Sequence, residues 1–495
     1  MIKRSSGILL PIFSLPSPYG IGTLGRAAYD FVDFLVDAGQ SWWQILPVGP
    51  TSYGDSPYQS FSTFAGNPYF IDLDMLIEDG LLEKADISSV TWYGHPSYVD
   101  YEKMWELRYP ILKKAVQNSR GYDDNDFKEF VDKNRGWLFD YALFMSVKAL
   151  FDNKPWTEWE DEEIRLHKEE AVSRYSEKLS DDILFYEYLQ YLFFKQWDAL
   201  KEYAKEKGIG IIGDIPIYVA LDSADVWSDP KQFKLDEKNL PKDVAGVPPD
   251  YFSEDGQLWG NPLYDWDFMK ADGFGWWIRR IEGAAKLYDV IRIDHFRGFE
   301  SFWAVPYGST TAKNGKWVKG PGMDLVNVLK NWFWNIQFIA EDLGILTDDV
   351  RSLLKDSTFP GMKVLEFAFD SKEPSDYLPH NYDKNCICYA GTHDNDTLAG
   401  WLDTADDDDI KFAMTYLNVD DKTDLPDAII RAGMASTANL FVAQIQDYLE
   451  LDSSARINVP GTLGDNWKWR ISEDDIYDSL SLRIAKMTKL YGRVK

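Results

Sequence analysis

The sequence predicts an α/β fold, a (β/α)8 TIM barrel with large inserted subdomains, because one kind of stretch recurs. Asp289 to Glu300 reads Asp-Val-Ile-Arg-Ile-Asp-His-Phe-Arg-Gly-Phe-Glu. Val290, Ile291 and Ile293 make a short apolar run typical of a strand buried on both faces, and it ends in Arg292, Asp294, His295 and Arg297. The pattern returns where Phe338-Ile339-Ala340 runs into Glu341-Asp342-Leu343-Gly344, and where Cys386-Ile387-Cys388-Tyr389 runs into Gly391-Thr392-His393-Asp394-Asn395. Buried strands delivering acids at their C-terminal ends are the layout of an α/β-barrel functional site. One such strand reads equally well as a barrel strand ending in solvated charges; its repetition favours convergence at one face.

Along the chain, Gly20-Ile21-Gly22-Thr23-Leu24-Gly25 matches G-x-G-x-x-G, but Leu15-Pro16-Ser17-Pro18-Tyr19 before it is no strand, which excludes a dinucleotide fingerprint. Phe31, Phe34, Leu35 and Ala38 recur at helical spacing before Gly39. Ser41 to Val48 reads as the first barrel strand, and the loop Gly54 to Ser60 after it should lie over the barrel mouth with Tyr58 free to stack on a ligand. Tyr69 to Leu73 reads as a weaker strand. Residues 98–200 turn helical, charged and aromatic over far more than a normal βα connection, which predicts a helical insertion closed by a helix through Phe185, Tyr188, Leu192 and Trp197.

Ile209 to Val219 reads as a strand carrying Asp214 near its end. Residues 220–286, rich in Pro, Gly, Asp and Trp, predict a second insertion, with Gly246 to Phe252 and Gly256 to Pro262 as a structured lid. Met362 to Phe369, Cys386 to Tyr389 and Arg456 to Val459 read as later strands. The Asp-rich stretch between Trp401 and Pro426 reads as a solvated surface. The whole is expected to be a single catalytic barrel, 1–495, with no C-terminal β-sandwich, since the chain ends soon after Arg470.

Composition narrows the function. A formal charge of -29 repels phosphate backbones and anionic lipid, so neither nucleic acid nor a membrane is an expected partner. No apolar run approaches a bilayer span. Twenty Trp and 28 Tyr exceed what core filling requires, and flat rings beside acids suit sugars, whose C–H faces stack while their hydroxyls bond carboxylates. Large barrels also bury many rings, and most of these should do so. Cys386 and Cys388 read as small buried hydrophobes in a reducing compartment. The short, proline-broken run Gly7 to Phe13 is rejected as a signal peptide. The one N-x-S/T sequon, Asn395-Asp396-Thr397, lies inside the candidate site, in accord with cytoplasmic residence.

Asp294, Glu341 and Asp394 should meet at one face. Two carboxyls flanking a glycosidic bond suffice for hydrolysis or transfer with retention when they lie about 5–5.5 Å apart. Arg292, two residues before Asp294, points to the same side and should keep that aspartate ionised; Glu341 must hold a proton, which burial near other acids favours. Asp394 can stabilise positive charge in an oxocarbenium-like transition state, while neutral His295 and His393 can donate to sugar hydroxyls. A metal built from these His and Asp is disfavoured, since they are sequence neighbours that alternate direction along a strand. A Ser-His-Asp triad lacks its G-x-S-x-G elbow.

Arg292-Ile293-Asp294-His295-Phe296-Arg297-Gly298, Ala340 to Gly344 and Gly391 to Asp396 resemble the motifs of the amylomaltases, the 4-α-glucanotransferases of glycoside hydrolase family 77. The likeness extends from Gly20-Ile21-Gly22 through Asp55 to Tyr58, Gly213 to Tyr218 and Gln257 to Trp266 to Asn466-Trp467-Lys468-Trp469-Arg470. It implies Asp294 as nucleophile, Glu341 as acid/base and Asp394 as transition-state stabiliser. Tyr58, Asp214, Trp259, Arg292, His295, His393 and Asn466 would line the sugar subsites. The family cleaves an α-1,4 bond, holds the glucan as an ester and passes it to the 4-hydroxyl of another glucan or glucose, with no cofactor and no metal. Two positions depart from the pattern, Glu450 where relatives tend to have Gly and Ile457 where Met is usual; both bear on the Pro460 loop. An α-amylase-like hydrolase using the same acids and a noncatalytic glucan-binding protein are the competing readings.

Overall fold

In the computed structural model, which describes residues 2–92, 94–249, 253–344 and 346–494, twelve strands form two sheets. In chain order they are β1 (Ser5–Leu9), β2 (Trp42–Gln44), β3 (Gly210–Ile215), β4 (Asp243–Val247), β5 (Gln257–Pro262), β6 (Val290–Ile293), β7 (Ser301–Pro306), β8 (Lys316–Lys319), β9 (Gln337–Ala340), β10 (Gly361–Val364), β11 (Cys386–Tyr389) and β12 (Leu440–Gln444). Eight of them pair in parallel in the order β10-β11-β12-β1-β2-β3-β6-β9. Between β9 and β10 the ring is drawn together by Ala340 N–H donating to Pro360 O at 3.0 Å and Met362 N–H donating to the Asp342 carboxylate at 2.6 Å. This is the (β/α)8 barrel, and its strands are short apolar runs buried on both faces.

Three expectations change. The first barrel strand is Ser5–Leu9, overlapping the start of the run Gly7 to Phe13 rejected as a signal peptide, and Ser41 to Val48 supplies the second through Trp42–Gln44 alone. Tyr69 to Leu73 is not a strand. Asn67 accepts from Tyr69 N–H and Asp72 from Met75 N–H, so side-chain caps close a 3₁₀ turn at Pro68–Phe70 and start a helix at Leu73–Glu78. Arg456 to Val459 is an extended loop rather than a strand, because its polar groups bond to the loop after β11 instead of to a ladder; Leu440–Gln444 takes the barrel position.

Helices fill the remaining layers. Arg26–Asp37 lies between β1 and β2 and stops at Gly39, whose φ is +66°. Between β2 and β3 the chain is mostly helical, ending in Ser180–Glu206, which packs on β3 and on Leu138–Leu150. Gly275–Leu287 packs on β3 and β6. The second sheet is antiparallel, β5-β4-β7-β8, and draws two strands from the segment after β3 and two from the segment after β6. Of the expected lid, Asp250, Tyr251 and Phe252 lie outside the described residues. Among the described residues no helix is long and apolar enough to cross a membrane.

Glu450 has φ +56°, a left-handed conformation that accounts for glycine as the residue suited to this position. Its cost, about 1–2 kcal/mol for an L side chain, is only partly offset by the exposed Arg483 Nη1 to Glu450 Oε1 pair at 2.9 Å. Glu450→Gly is therefore expected to raise unfolding free energy by about 0.5–1 kcal/mol in urea titrations. A lowered midpoint would mean that the ion pair outweighs the backbone term.

Candidate active site

Parallel strands all aim their C-terminal ends at one mouth, so residues just past β3, β6, β9 and β11 gather there. Arg292 on β6 stands opposite Asp214 on β3 in the strand register. Its Nη1 contacts Asp214 Oδ2 at 2.5 Å and Asp294 Oδ1 at 2.9 Å. The guanidinium is 4% exposed and Asp214 1%, so the charges are removed from water and compensate each other. Among the described residues Asp294 Oδ2 accepts no protein hydrogen bond, and the side chain keeps 30% exposure toward the mouth.

Glu341 follows β9 directly. Its main chain donates to Ile293 O and accepts from Phe296 N–H, each at 3.0 Å, which locks it to the segment bearing Asp294. Its side chain accepts from His295 N–H at 2.7 Å and Leu343 N–H at 2.6 Å, one on each oxygen. His295 reaches that position with φ +52°, uncommon for a residue with a Cβ, so the backbone turns sharply just after Asp294.

Burial pushes the Glu341 carboxyl up to about 7, against Arg292 and the two backbone N–H donors. Burial also raises the Asp294 carboxyl, with Arg292 pulling it back and Asp214, Glu341 and Asp394 pushing it up. A proton held between the two acids resides on Glu341, because Arg292 touches Asp294 and stabilises its charge. Burial lowers His295 to about 3 and lowers His393 as well, so both imidazoles are neutral.

Asp394 follows β11 and is 45% exposed. Its Oδ1 accepts from Asn458 Nδ2 at 2.6 Å and lies 3.3 Å from His393 Nε2. The turn carrying it is tied by Asn395, whose Oδ1 accepts from Thr392 N–H and hydroxyl and whose Nδ2 donates to buried Glu366. Burial, with Asp447 second, raises Glu366 well above the usual carboxylate range.

Tyr58 is not free. Its hydroxyl donates to Asp214 Oδ2 at 2.7 Å and its ring stacks on His393, centroids 5.1 Å apart, because the loop folds back into the mouth and leaves one ring face open at most. Trp259 on β5 sets its ring against the edge of His295 at 4.8 Å. Asn466 is engaged in its own loop, accepting from Val459 N–H at 2.9 Å and donating to Thr462 O at 2.9 Å. Trp467 beside it reaches the Tyr58 and His393 rings, 5.8 and 5.9 Å away. Sequence reasoning missed Asn458, Arg456 and Glu366, which act through contacts between distant segments; two polar side chains in Arg456-Ile457-Asn458-Val459 were the available signal.

A barrel whose mouth gathers three acids, a shared guanidinium and flat rings is a carbohydrate-active enzyme of the carboxylate class. The family model described as 4-alpha-glucanotransferase, glycoside hydrolase family 77, matches residues 10–475. A 4-alpha-glucanotransferase of Clostridium butyricum is 49% identical, covering 97% of this chain and 99% of its own, and one of Thermus thermophilus is 44% identical, covering 100% of both. Amylomaltase of Streptococcus agalactiae, solved in complex with acarbose, superposes with a TM-score of 0.97 at 43% identity, covering 100% of each chain. The chain belongs to glycoside hydrolase family 77, the 4-α-glucanotransferases.

Removing Arg292 would leave buried Asp214 beside half-buried Asp294 without a counter-ion. Arg292→Met is expected to cost about 3–5 kcal/mol of stability, and adding Asp214→Asn should recover a large part of it. Chemical denaturation of the two variants checks this; equal losses would mean that the guanidinium matters through packing alone.

Proposed function

We propose that the enzyme transfers a segment of a 1,4-α-glucan by double displacement, with Asp294 as nucleophile, Glu341 as acid/base and Asp394 as transition-state stabiliser. Asp294 Oδ2 attacks the anomeric carbon while Glu341 gives its proton to the departing 4-oxygen, leaving a glucosyl ester on Asp294. Glu341, now ionised, takes the proton from the 4-hydroxyl of an incoming glucan or glucose, whose oxygen displaces Asp294 and restores the α-bond. The observation that carries this is the bond from His295 N–H to Glu341 Oε2. It joins the residue after Asp294 to the second acid across adjacent strands, about 4.8 Å apart, which supports retention rather than the wider spacing of inverting pairs.

Tyr58, Asp214, Arg292, His295, His393, Trp259 and Asn466 line the sugar subsites in this reading, aromatic faces stacking and neutral imidazoles donating. The 98–200 and 220–286 segments are insertions in one barrel, the second contributing a roof over the mouth. Transfer requires that water be kept from the ester until a sugar arrives, and Trp259 on β5 against His295 supports that task for the roof. Cytoplasmic residence goes with this reading, supported by the two buried, unbridged cysteines.

Incubation with maltotriose should yield glucose and a ladder of longer maltooligosaccharides without a rise in total reducing ends; reducing ends climbing with substrate loss would mark a hydrolase. Because Glu341 must be protonated in the first step and its carboxyl sits at about 7, kcat/KM should fall about tenfold per pH unit above that value. With a maltosyl fluoride donor, whose leaving group needs no proton, the alkaline limb of the first step should vanish; its persistence would assign the limb to another group.

A further inference from the structure

Resting on the role given to Asp394 above, we propose that Asn458 is a positioning residue that holds the Asp394 carboxylate in its working rotamer and ties it to the Pro460 loop. The main chain at Asp394 is fixed from its own turn, where Asn395 bonds back to Thr392 and Asp394 N–H reaches Thr392 Oγ1 at 3.3 Å. None of those bonds constrains the side-chain torsion, and the carboxylate is 45% exposed. A half-solvated aspartate samples more than one rotamer, whereas stabilising charge on a sugar ring needs one fixed position.

Among the described residues, Asn458 and His393 are the side chains that reach this carboxylate, both at Oδ1. The Asn458 bond, at 2.6 Å, is the shorter and is charge-assisted. A carboxylate only accepts, so the amide presents Nδ2 to it. With Oδ1 occupied, Oδ2, which accepts no protein bond among the described residues, is left for the sugar. A neutral amide does this without adding charge to a mouth that already holds Asp214, Asp294 and Glu341.

Asn458 is itself held on both sides. Arg456 donates from Nη2 to Asp394 O at 2.6 Å and from Nε to Asn458 O at 2.9 Å, so one guanidinium sets the register between the two segments. Ile457, 1% exposed, accepts at its carbonyl from Trp467 N–H at 2.7 Å, and Val459 N–H donates to Asn466 Oδ1 at 2.9 Å. The loop from Val459 to Asn466, which borders the Tyr58 and His393 rings through Trp467, is thus connected to the Asp394 carboxylate through Asn458 and to its main chain through Arg456.

The test uses the full-length enzyme, maltotriose and a maltosyl fluoride donor, with Asn458→Ala and the near-isosteric Asn458→Asp. For Asn458→Ala, kcat is expected to fall about tenfold to a hundredfold with KM changed less than about twofold. Asn458→Asp, which sets a carboxylate against the Asp394 oxygen, should be lower still, and keeps the packing should the alanine variant not fold. Neither variant should recover its first step, read as the burst of fluoride release, with the fluoride donor, whereas Glu341→Gln should recover that step, because the defect lies in charge stabilisation and not in proton supply. Wild-type kcat in Asn458→Asp, or a rise in KM with kcat kept, overturns the proposal. Asp394→Asn is measured alongside. If it is inactive while the Asn458 variants are not, only the positioning role fails; if it is active, the role given to Asp394 fails first.

Discussion

The site depends on a single buried guanidinium. Arg292 sits on β6 with its charge shared between Asp214 and Asp294, and each of the three groups would be costly to bury alone. Strand geometry makes the sharing possible. Asp214 is the register partner of Arg292 across the ladder, and Asp294 lies two residues on, so both carboxylates reach the same nitrogen from different directions. The aspartate with no open side, Asp214, anchors the cation and also accepts the Tyr58 hydroxyl. The one with an open side, Asp294, keeps an oxygen for chemistry.

The division of labour between Asp294 and Glu341 follows from that anchor. Both acids are raised by burial, and two carboxyls at the ends of adjacent strands do not ionise independently. An asymmetry in partners decides which one holds the proton, since Arg292 touches Asp294 and the Glu341 side chain has only backbone N–H donors. The left-handed turn at His295 is what aims one of those donors at Glu341, so a backbone conformation uncommon for this residue type ties the segment after Asp294 to the second acid. Strain of this kind persists only where its surroundings enforce it, and here Phe296 N–H bonding to Glu341 O supplies the enforcement.

The barrel was legible in the sequence wherever an apolar run ended in charge, as at β6, β9 and β11. It was least legible at β1 and β12, which end in no acid, because a few hydrophobic residues look the same in a strand, a buried helix or a leader. The misread strand at Tyr69 to Leu73 has a specific cause. Asp72 caps a helix while also accepting the Thr23 hydroxyl, 49 positions earlier in the chain, and periodicity carries no trace of a side-chain cap. The roof sheet escaped for a topological reason, since β4 and β5 find their partner β7 only across β6. The acids themselves stood out, but the residues holding them did not. Asn458 meets Asp394 across 64 positions, and nothing local in the sequence marks that contact.

The second sheet, the proposed roof, is joined to the site by covalent continuity as well as by contact. β7 begins after the 3₁₀ turn Phe296–Phe299, itself next to Asp294 and His295, so the strand leading to Asp294 and the second sheet are one stretch of chain. Arg297 in that turn lays its guanidinium 4.0 Å over the Trp317 ring on β8, and Trp259 on β5 meets His295 from the other side of the same sheet. A roof attached this way cannot lift without moving the backbone that sets His295 N–H against Glu341. On the proposed mechanism, shielding the ester from water and keeping Asp294 and Glu341 in register become the same structural condition, which gives an enzyme that must wait for a sugar acceptor a reason to build its cover from the loop that follows Asp294.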